Sequence, residues 1–199
     1  IAAARENTAD IISGSRYLAP EGSGDSPPPD RRAINTTITH EINCDVATFW
    51  KLFFDKEFNN ELFLQVLGFP EYQTLDQQET ETAITRKVSG RPKMNMPGPV
   101  EKLLGANFRY TEEGKLDRAK GLWTWKMTPS AMADKLRQEG SLRVEPIGDK
   151  KCRRIAELIN EAKVFGLGGL IESTGEKQLR EGWDASARFM NSYITRKGL

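Results

Sequence analysis

Past Ala33, apolar and polar residues fall into two rhythms. Ile34, Thr36, Ile38, His40 and Ile42 alternate with Asn35, Thr37, Thr39 and Glu41, and this period of two with β-branched residues predicts a strand. Asn43 to Asp45 offer a helix cap. Phe49, Trp50, Phe53, Phe54, Phe58, Leu62, Phe63, Val66 and Leu67 then recur at helical spacing. Asn59 and Asn60 within that run predict one bent helix or two short ones, ended by Gly68, Phe69 and Pro70. Strand-like runs follow at Tyr72–Leu75, Thr80–Val88, Gly121–Met127, Gly140–Pro146 and Arg153–Phe165. Turn signals at Ser89-Gly90, Glu112-Glu113-Gly114, Pro129 and Gly148-Asp149 punctuate them. Asn107–Leu116 adds a further short strand or hairpin. Arg91–Gly105 carries Pro92, Pro97 and Pro99, so it is no central strand, and it has room for one helical turn at Val100–Leu104. The period changes once more at the end. Ile171, Gln178/Leu179, Trp183, Ala187, Met190 and Ile194, with Phe189 and Tyr193, form a wide apolar stripe on a long helix that starts near Leu170.

Strand, short helices, about six strands and a long helix make an α+β order, with a mostly antiparallel sheet and its helices on one side. The long amphipathic helix is the element long enough to cover the sheet's apolar face, and a curved sheet closing on it leaves space between them. Residues 1–33 differ. Ser23 to Asp30 is small, polar and proline-rich, with three consecutive prolines, and reads as an extended segment. A helix over Ala2–Ile12 is marginal alone. The expected organisation is a tail or linker over 1–33 and one domain over 34–197. The first residue is Ile1 rather than Met, so the expectation is a fragment or processed form whose upstream targeting signal would be out of view.

Charge narrows the partners. Lys and Arg number 29 and Asp and Glu 28 in 199 residues, a net of +1, which removes any strong overall field for nucleic acid or an anionic membrane. No apolar run approaches the roughly 20 residues that span a bilayer. Two cysteines, Cys44 and Cys152, cannot make a disulfide scaffold. They form one bridge or stay free, and free thiols in a cytoplasmic setting are the expectation. His40 is the single histidine, so a multi-histidine metal site is impossible, and neither a metal nor a cofactor is expected.

Five stretches carry a resemblance. They are Pro97-Gly98-Pro99-Val100-Glu101-Lys102-Leu103-Leu104-Gly105, Tyr110-Thr111-Glu112-Glu113-Gly114, Trp123-Thr124-Trp125-Lys126-Met127-Thr128-Pro129-Ser130, Val144-Glu145-Pro146-Ile147-Gly148-Asp149 and Val164-Phe165-Gly166-Leu167-Gly168-Gly169-Leu170-Ile171-Glu172. With the element order over about 34–196, they resemble the START-like, helix-grip superfamily of lipid-transfer domains, plant pollen-allergen proteins and polyketide cyclases. More closely, they resemble a START-like family, common in bacteria, known as a domain of unknown function. The resemblance implies a curved antiparallel sheet of about seven strands around a C-terminal helix, with an apolar cavity between. It supplies no ligand.

Candidate chemistry lies on the inward faces. Ala156, Leu158, Asn160, Ala162 and Val164 share one face, where small alanines leave volume. Asn160 needs a partner there, either a ligand hydroxyl or carbonyl or a group of the protein or water. Trp123, Trp125 and Met127 share a face that suits an adaptable apolar pocket or plain core. Met94 and Met96 sit in a Pro-flanked loop. The resemblance places such loops at a cavity mouth, where they would gate access, touch a membrane surface transiently or plug the end. Trp183 and Met190 extend the set from the long helix. Arg86, in register with Ile84 and Val88, points inward and must be paired, with a ligand carboxylate or a protein one such as Glu79 or Glu81. His40 lies on the Ile34–Ile42 face and titrates near neutral pH. Gly166, Gly168 and Gly169 lack phosphate-loop spacing and fit a sharp strand-to-helix reversal. Lys150-Lys151-Cys152-Arg153-Arg154 reads as solvated charge at a hairpin, or as a headgroup or partner patch.

The leading expectation is binding, and carriage or sensing, of a hydrophobic small molecule of lipid, sterol or isoprenoid class. Its residues would be Trp123, Trp125, Asn160, Met94, Met96, Trp183 and Met190. A cyclase- or aromatase-like enzyme is the alternative, and it requires His40, Arg86 and Asn160 to converge. A partner-docking module is the third reading, and it requires a solid interior and an exposed apolar patch.

Overall fold

Strand alternation assigns each side chain a face. In the computed structural model, which describes residues 34–93, 97–105 and 107–199, it builds one seven-stranded antiparallel sheet. The expectations placed on residues 1–33 and on Met94 and Met96 lie outside the described residues. β1 (Ile34–Ile42) forms one edge beside the last strand, β7 (Lys151–Ala162). The order continues through β6 (Leu136–Gly148), β5 (Leu122–Pro129), β4 (Tyr110–Asp117) and β3 (Ala83–Arg91) to β2 (Glu71–Glu79) at the other edge. The chain crosses from edge to edge between β1 and β2 through α1 (Val46–Phe54), α2 (Lys56–Asn60) and a π-helical stretch, Glu61–Val66. α3 (Gly98–Leu104) joins β3 to β4, and α4 (Gly168–Lys197) ends the chain. This is the α+β helix-grip arrangement that the element order predicts.

Aspartates decide how the helical run divides. The Asp45 carboxylate accepts the Thr48 N–H at 2.9 Å and starts α1, and the Asp55 carboxylate accepts the Phe58 N–H at 2.7 Å and starts α2. The bend therefore falls at Asp55 rather than at Asn59 and Asn60. Asn59 instead donates to the carbonyls of Phe53 and Asp55. β2 runs past Leu75 to Glu79, because an irregularity between Thr74 and Asp76 shifts the register and lets polar residues continue the edge strand. β7 ends at Ala162 rather than Phe165. Gly166 takes φ +74° at the reversal into α4, as a turn needing the left-handed region requires.

α4 packs on β1 and β7, α1 on β6 and β7, and α2 and the π-helical stretch on β2, all on one face of the sheet. Two apolar clusters fill the interior. The larger joins Phe49, Leu52, Phe54 and Phe58 to Trp123, Leu142, Ala156, Met190 and Ile194. The smaller joins Val100, Leu104 and Phe108 to Ala162, Val164 and Ile171, closing the end where α3 meets the start of α4.

Candidate functional site

Cross-strand register sorts the helix-covered face into rows. One row runs Ile84, Leu116, Trp123, Leu142, Ala156, Ile38, and every member is buried in the larger cluster. The next row runs Arg86, Gly114, Trp125, Gly140, Leu158, Thr36, and the one beyond it Val88, Glu112, Met127, Gln138, Asn160. In these two rows Trp125, Met127, Gln138, Gly140 and Asn160 keep part of their surface accessible, although they stand on central or near-central strands. The aromatic residues of α1 pack on the first row, the α3 cluster packs beyond the third, and the residues between them are only half-buried.

Glycines shape the floor. A Cβ on Gly114 would lie 2.0 Å from Cζ2 of Trp123, one on Gly90 would lie 2.7 Å from the Tyr110 ring, and one on Gly140 would lie 3.0 Å from Trp125. The Trp123 and Tyr110 rings thus occupy the places of missing side chains, while at Gly140 the Glu157 carbonyl, 2.5 Å away, is the nearer obstacle.

A polar cluster sits beside these half-buried residues on β2, β3 and β4. The Arg86 guanidinium, 7% exposed, packs against the rings of Phe53, Phe54 and Trp123. Its Nη1 donates to the Phe53 carbonyl at 2.6 Å, and Nη2 stands 3.8 Å from Oε1 of Glu112. The Arg86 partner is thus Glu112, not Glu79 or Glu81; Glu79 pairs with Arg118. Burial raises the Glu112 pKa above the usual carboxylate range, against the pull of Arg86. Burial also pushes the Tyr72 phenol up to about 12 and holds Tyr110 well above its ordinary value. The Tyr72 hydroxyl, Gln77 Oε1 and Arg86 Nε are buried without a hydrogen-bond partner. Thr74 adjoins Tyr72, yet no hydrogen bond of ordinary geometry joins them. The sequence reading missed Tyr72, Gln77, Tyr110 and Glu112. Glu112-Glu113-Gly114 looks like a turn until β4 is seen to run through it.

The other sequence candidates disperse. Trp123 is 1% exposed, edge-on to Phe53 and Phe54. Met190 is buried in the larger cluster, and Trp125 is half-buried in the row of Arg86. Asn160 donates from Nδ2 to the Glu172 carbonyl at 3.0 Å, over Gly175 of α4. Trp183 is half-buried beneath the Arg154 guanidinium. His40 joins a separate network. Arg154 Nη2 lies 2.9 Å from its Nδ1, and its Nε2 lies 2.7 Å from Asp184. Arg154 has no acceptor atom, so Nδ1 accepts, Nε2 carries the proton, and the ring is neutral. Burial, the largest influence, together with Arg154 lowers the His40 pKa, while Asp184 pulls the other way. His40, Arg86 and Asn160 share the covered face but engage different partners and do not converge. Alternation also removes Arg154 from the expected basic patch. It is buried against Ser186 and the Trp183 carbonyl, with its pKa lowered to about 9, and still charged at neutral pH.

Two grooves of about 570 and 290 Å³ lie among charged side chains, and Arg86, Gly114 and Trp125 also line the larger one. Cys44 and Cys152 are both free and buried. The Cys44 thiol is pushed up by its hydrogen bond to Cys152 and by burial. Among the described residues, no helix is long and apolar enough to cross a membrane, and no group of His, Cys, Asp and Glu is placed to hold a metal. Phe165 is 98% exposed in the loop between β7 and α4, with Leu170 exposed nearby.

No curated protein matches the chain. Solved structures do. The aromatase/cyclase ZhuI of Streptomyces sp. R1128 is 11% identical over 84% of this chain and 97% of its own, with a TM-score of 0.58. A START superfamily protein of Mycobacterium smegmatis is 13% identical over 81% and 97%, with a TM-score of 0.51. Norcoclaurine synthase of Thalictrum flavum, in complex with dopamine and hydroxybenzaldehyde, is 13% identical over 87% and 98%, with a TM-score of 0.53. At these identities the likeness is one of fold, and it is the fold of the START-like superfamily. Residues 37–194 match a family described as a protein of unknown function, DUF2505. That match runs from β1 to the last turns of α4 and takes in every row of the covered face, and by it the chain belongs to the DUF2505 family.

Proposed function

We propose that the protein binds a hydrophobic small molecule on the helix-covered face, between the two core clusters, and carries or senses it. A lipid, sterol or isoprenoid is the favoured class. The observation that supports this reading is the half-buried middle of that face, where Trp125, Met127 and Gly140 keep accessible surface on central strands between the two apolar clusters. A tight core fills such a position, because interiors pack to crystal density. An apolar guest there gains roughly 25 cal/mol for each Å² it buries. Trp125, Met127 and Asn160 line this site from the sheet, and Trp123 forms its floor. Exposed Phe165 and Leu170 at the start of α4 suit transient contact with a membrane surface during loading. The solved relative that holds dopamine and hydroxybenzaldehyde supports a guest of modest size on this fold. A cyclase-like reaction has less support, since His40, Arg86 and Asn160 serve separate partners.

Native mass spectrometry of the purified protein tests the reading. The expected result is an apolar adduct that organic extraction removes and mass spectrometry identifies. A protein that emerges bare, and takes up none of a panel of fatty acids, sterols and isoprenoids, refutes it.

A further inference from the structure

The polar cluster beside this site narrows the chemistry of the guest, an inference that rests on the ligand-binding reading above. Arg86 is buried, and its Nη1 is engaged by the Phe53 carbonyl. The other edge of the guanidinium is not. Nε has no partner, and Nη2 has its nearest carboxylate oxygen at 3.8 Å, beyond hydrogen-bond reach. Nε and Nη2 present two parallel N–H groups at the spacing of the two oxygens of a carboxylate. The Tyr72 hydroxyl, 8% exposed, is a further donor without a partner in the same cluster. Gln77, opposite Arg86 in register, holds Oε1 equally unpartnered. Buried polar atoms are nearly always satisfied, and two orphan donors, Arg86 Nε on β3 and the Tyr72 hydroxyl on β2, mark a place built for a guest.

We infer that the ligand is an apolar molecule with a carboxylate end, and that this carboxylate seats on the Nε–Nη2 edge of Arg86 with Tyr72 donating to it. The body of the ligand then runs along the row of Arg86. It passes the Trp123 indole that covers Gly114 and reaches Trp125 and Met127, about 10 Å away at two strand spacings. Neutral hydroxylated guests such as sterols make poorer use of the seat, because one oxygen cannot meet both N–H groups. Glu112 is the protein's own carboxylate at Arg86, 3.8 Å from Nη2 and short of a hydrogen bond. A second carboxylate there adds to the desolvation that already favours the protonated form of Glu112. Tyr72 and Tyr110, the other titratable groups facing it, stay neutral throughout.

Calorimetric titration at neutral pH with two matched pairs tests this: 2-naphthoic acid against methyl 2-naphthoate, and dodecanoic acid against methyl dodecanoate. The acid of at least one pair is expected to bind about tenfold or more tighter than its ester, the worth of a charge-assisted hydrogen-bond pair. Glu112→Gln should leave the acid binding better than its ester. Arg86→Gln should bring acid and ester level. Arg86 also caps α1, so Tyr72→Phe provides a milder check, weakening the acid more than the ester. If acid and ester bind wild type equally, the carboxylate seat is overturned while hydrophobic binding stands. If neither acid binds, the inference also falls, and native mass spectrometry decides whether the broader reading falls with it.

Discussion

Gly114 carries more of the fold than its lack of a side chain suggests. It sits mid-strand, where glycine ordinarily weakens a sheet, and the Trp123 indole fills the space where its Cβ would stand. Alanine there forces a 2.0 Å contact with Cζ2 of a ring held by Phe53 and Phe54, which leave it little room to move. Gly114→Ala should therefore cost about 1–3 kcal/mol of unfolding free energy, the usual range for overpacking. Trp123→Leu alone should also destabilise, by opening a cavity. Combined, the two should cost less than their sum, since leucine makes room for the new methyl. Denaturant unfolding of the three variants reads this directly, and strict additivity would show that the ring and the glycine are independent.

α4 offers the same comparison at the scale of an element. Gly175 and Gly182 both lie inside it, and glycine in a helix interior costs about 1 kcal/mol relative to alanine. A Cβ on Gly182 meets nothing within 4 Å, whereas one on Gly175 comes 2.7 Å from Nδ2 of Asn160. Gly182→Ala should raise the melting temperature. Gly175→Ala should show no gain or a loss, because it displaces the amide that bonds the Glu172 carbonyl and ties α4 to β7. Equal gains at both positions in thermal unfolding would mean that the Asn160 tie contributes nothing. Elements of this kind were legible from periodicity. The inward faces of β1, β5 and β7 follow from alternation alone, and so does the apolar stripe of α4. Partnership was not legible. Arg86 meets Glu112 because β3 and β4 pair in one particular register, and no local pattern encodes that register. Glu112 itself was hidden in a run of polar residues that resembles a turn. Arg154 was hidden in a basic run, although its spacing from Cys152 already placed both on one face.

For the whole molecule, two half-buried titrating groups bias stability in opposite directions. His40 is neutral in the folded state and its pKa lies below the ordinary 6.5, so the unfolded chain binds the proton more readily. Its contribution is present above that value and is lost as pH falls through 6.5 toward the folded pKa. Glu112 has a folded pKa above the ordinary 4.5, so the folded chain binds the proton more readily, and stability is lost as pH rises from 4.5 through the folded value. The two contributions overlap on the acid side and partly cancel in the wild-type profile, so single variants are needed to separate them. His40→Gln suits the first. Its amide oxygen can accept from Arg154 and its NH₂ can donate to Asp184, which reproduces both bonds of the neutral ring without a titrating group. Relative to wild type, this variant should gain stability as pH is lowered below 6.5, with the two close together at pH 8. Glu112→Gln should show the reverse slope, gaining on wild type as pH rises from 4.5. Urea unfolding across this range gives both differences. A His40→Gln difference that stays flat with pH would mean that the ring is protonated as freely in the fold as in the unfolded chain. Arg154 and His40 could not then share the geometry that joins β1 and β7 to α4.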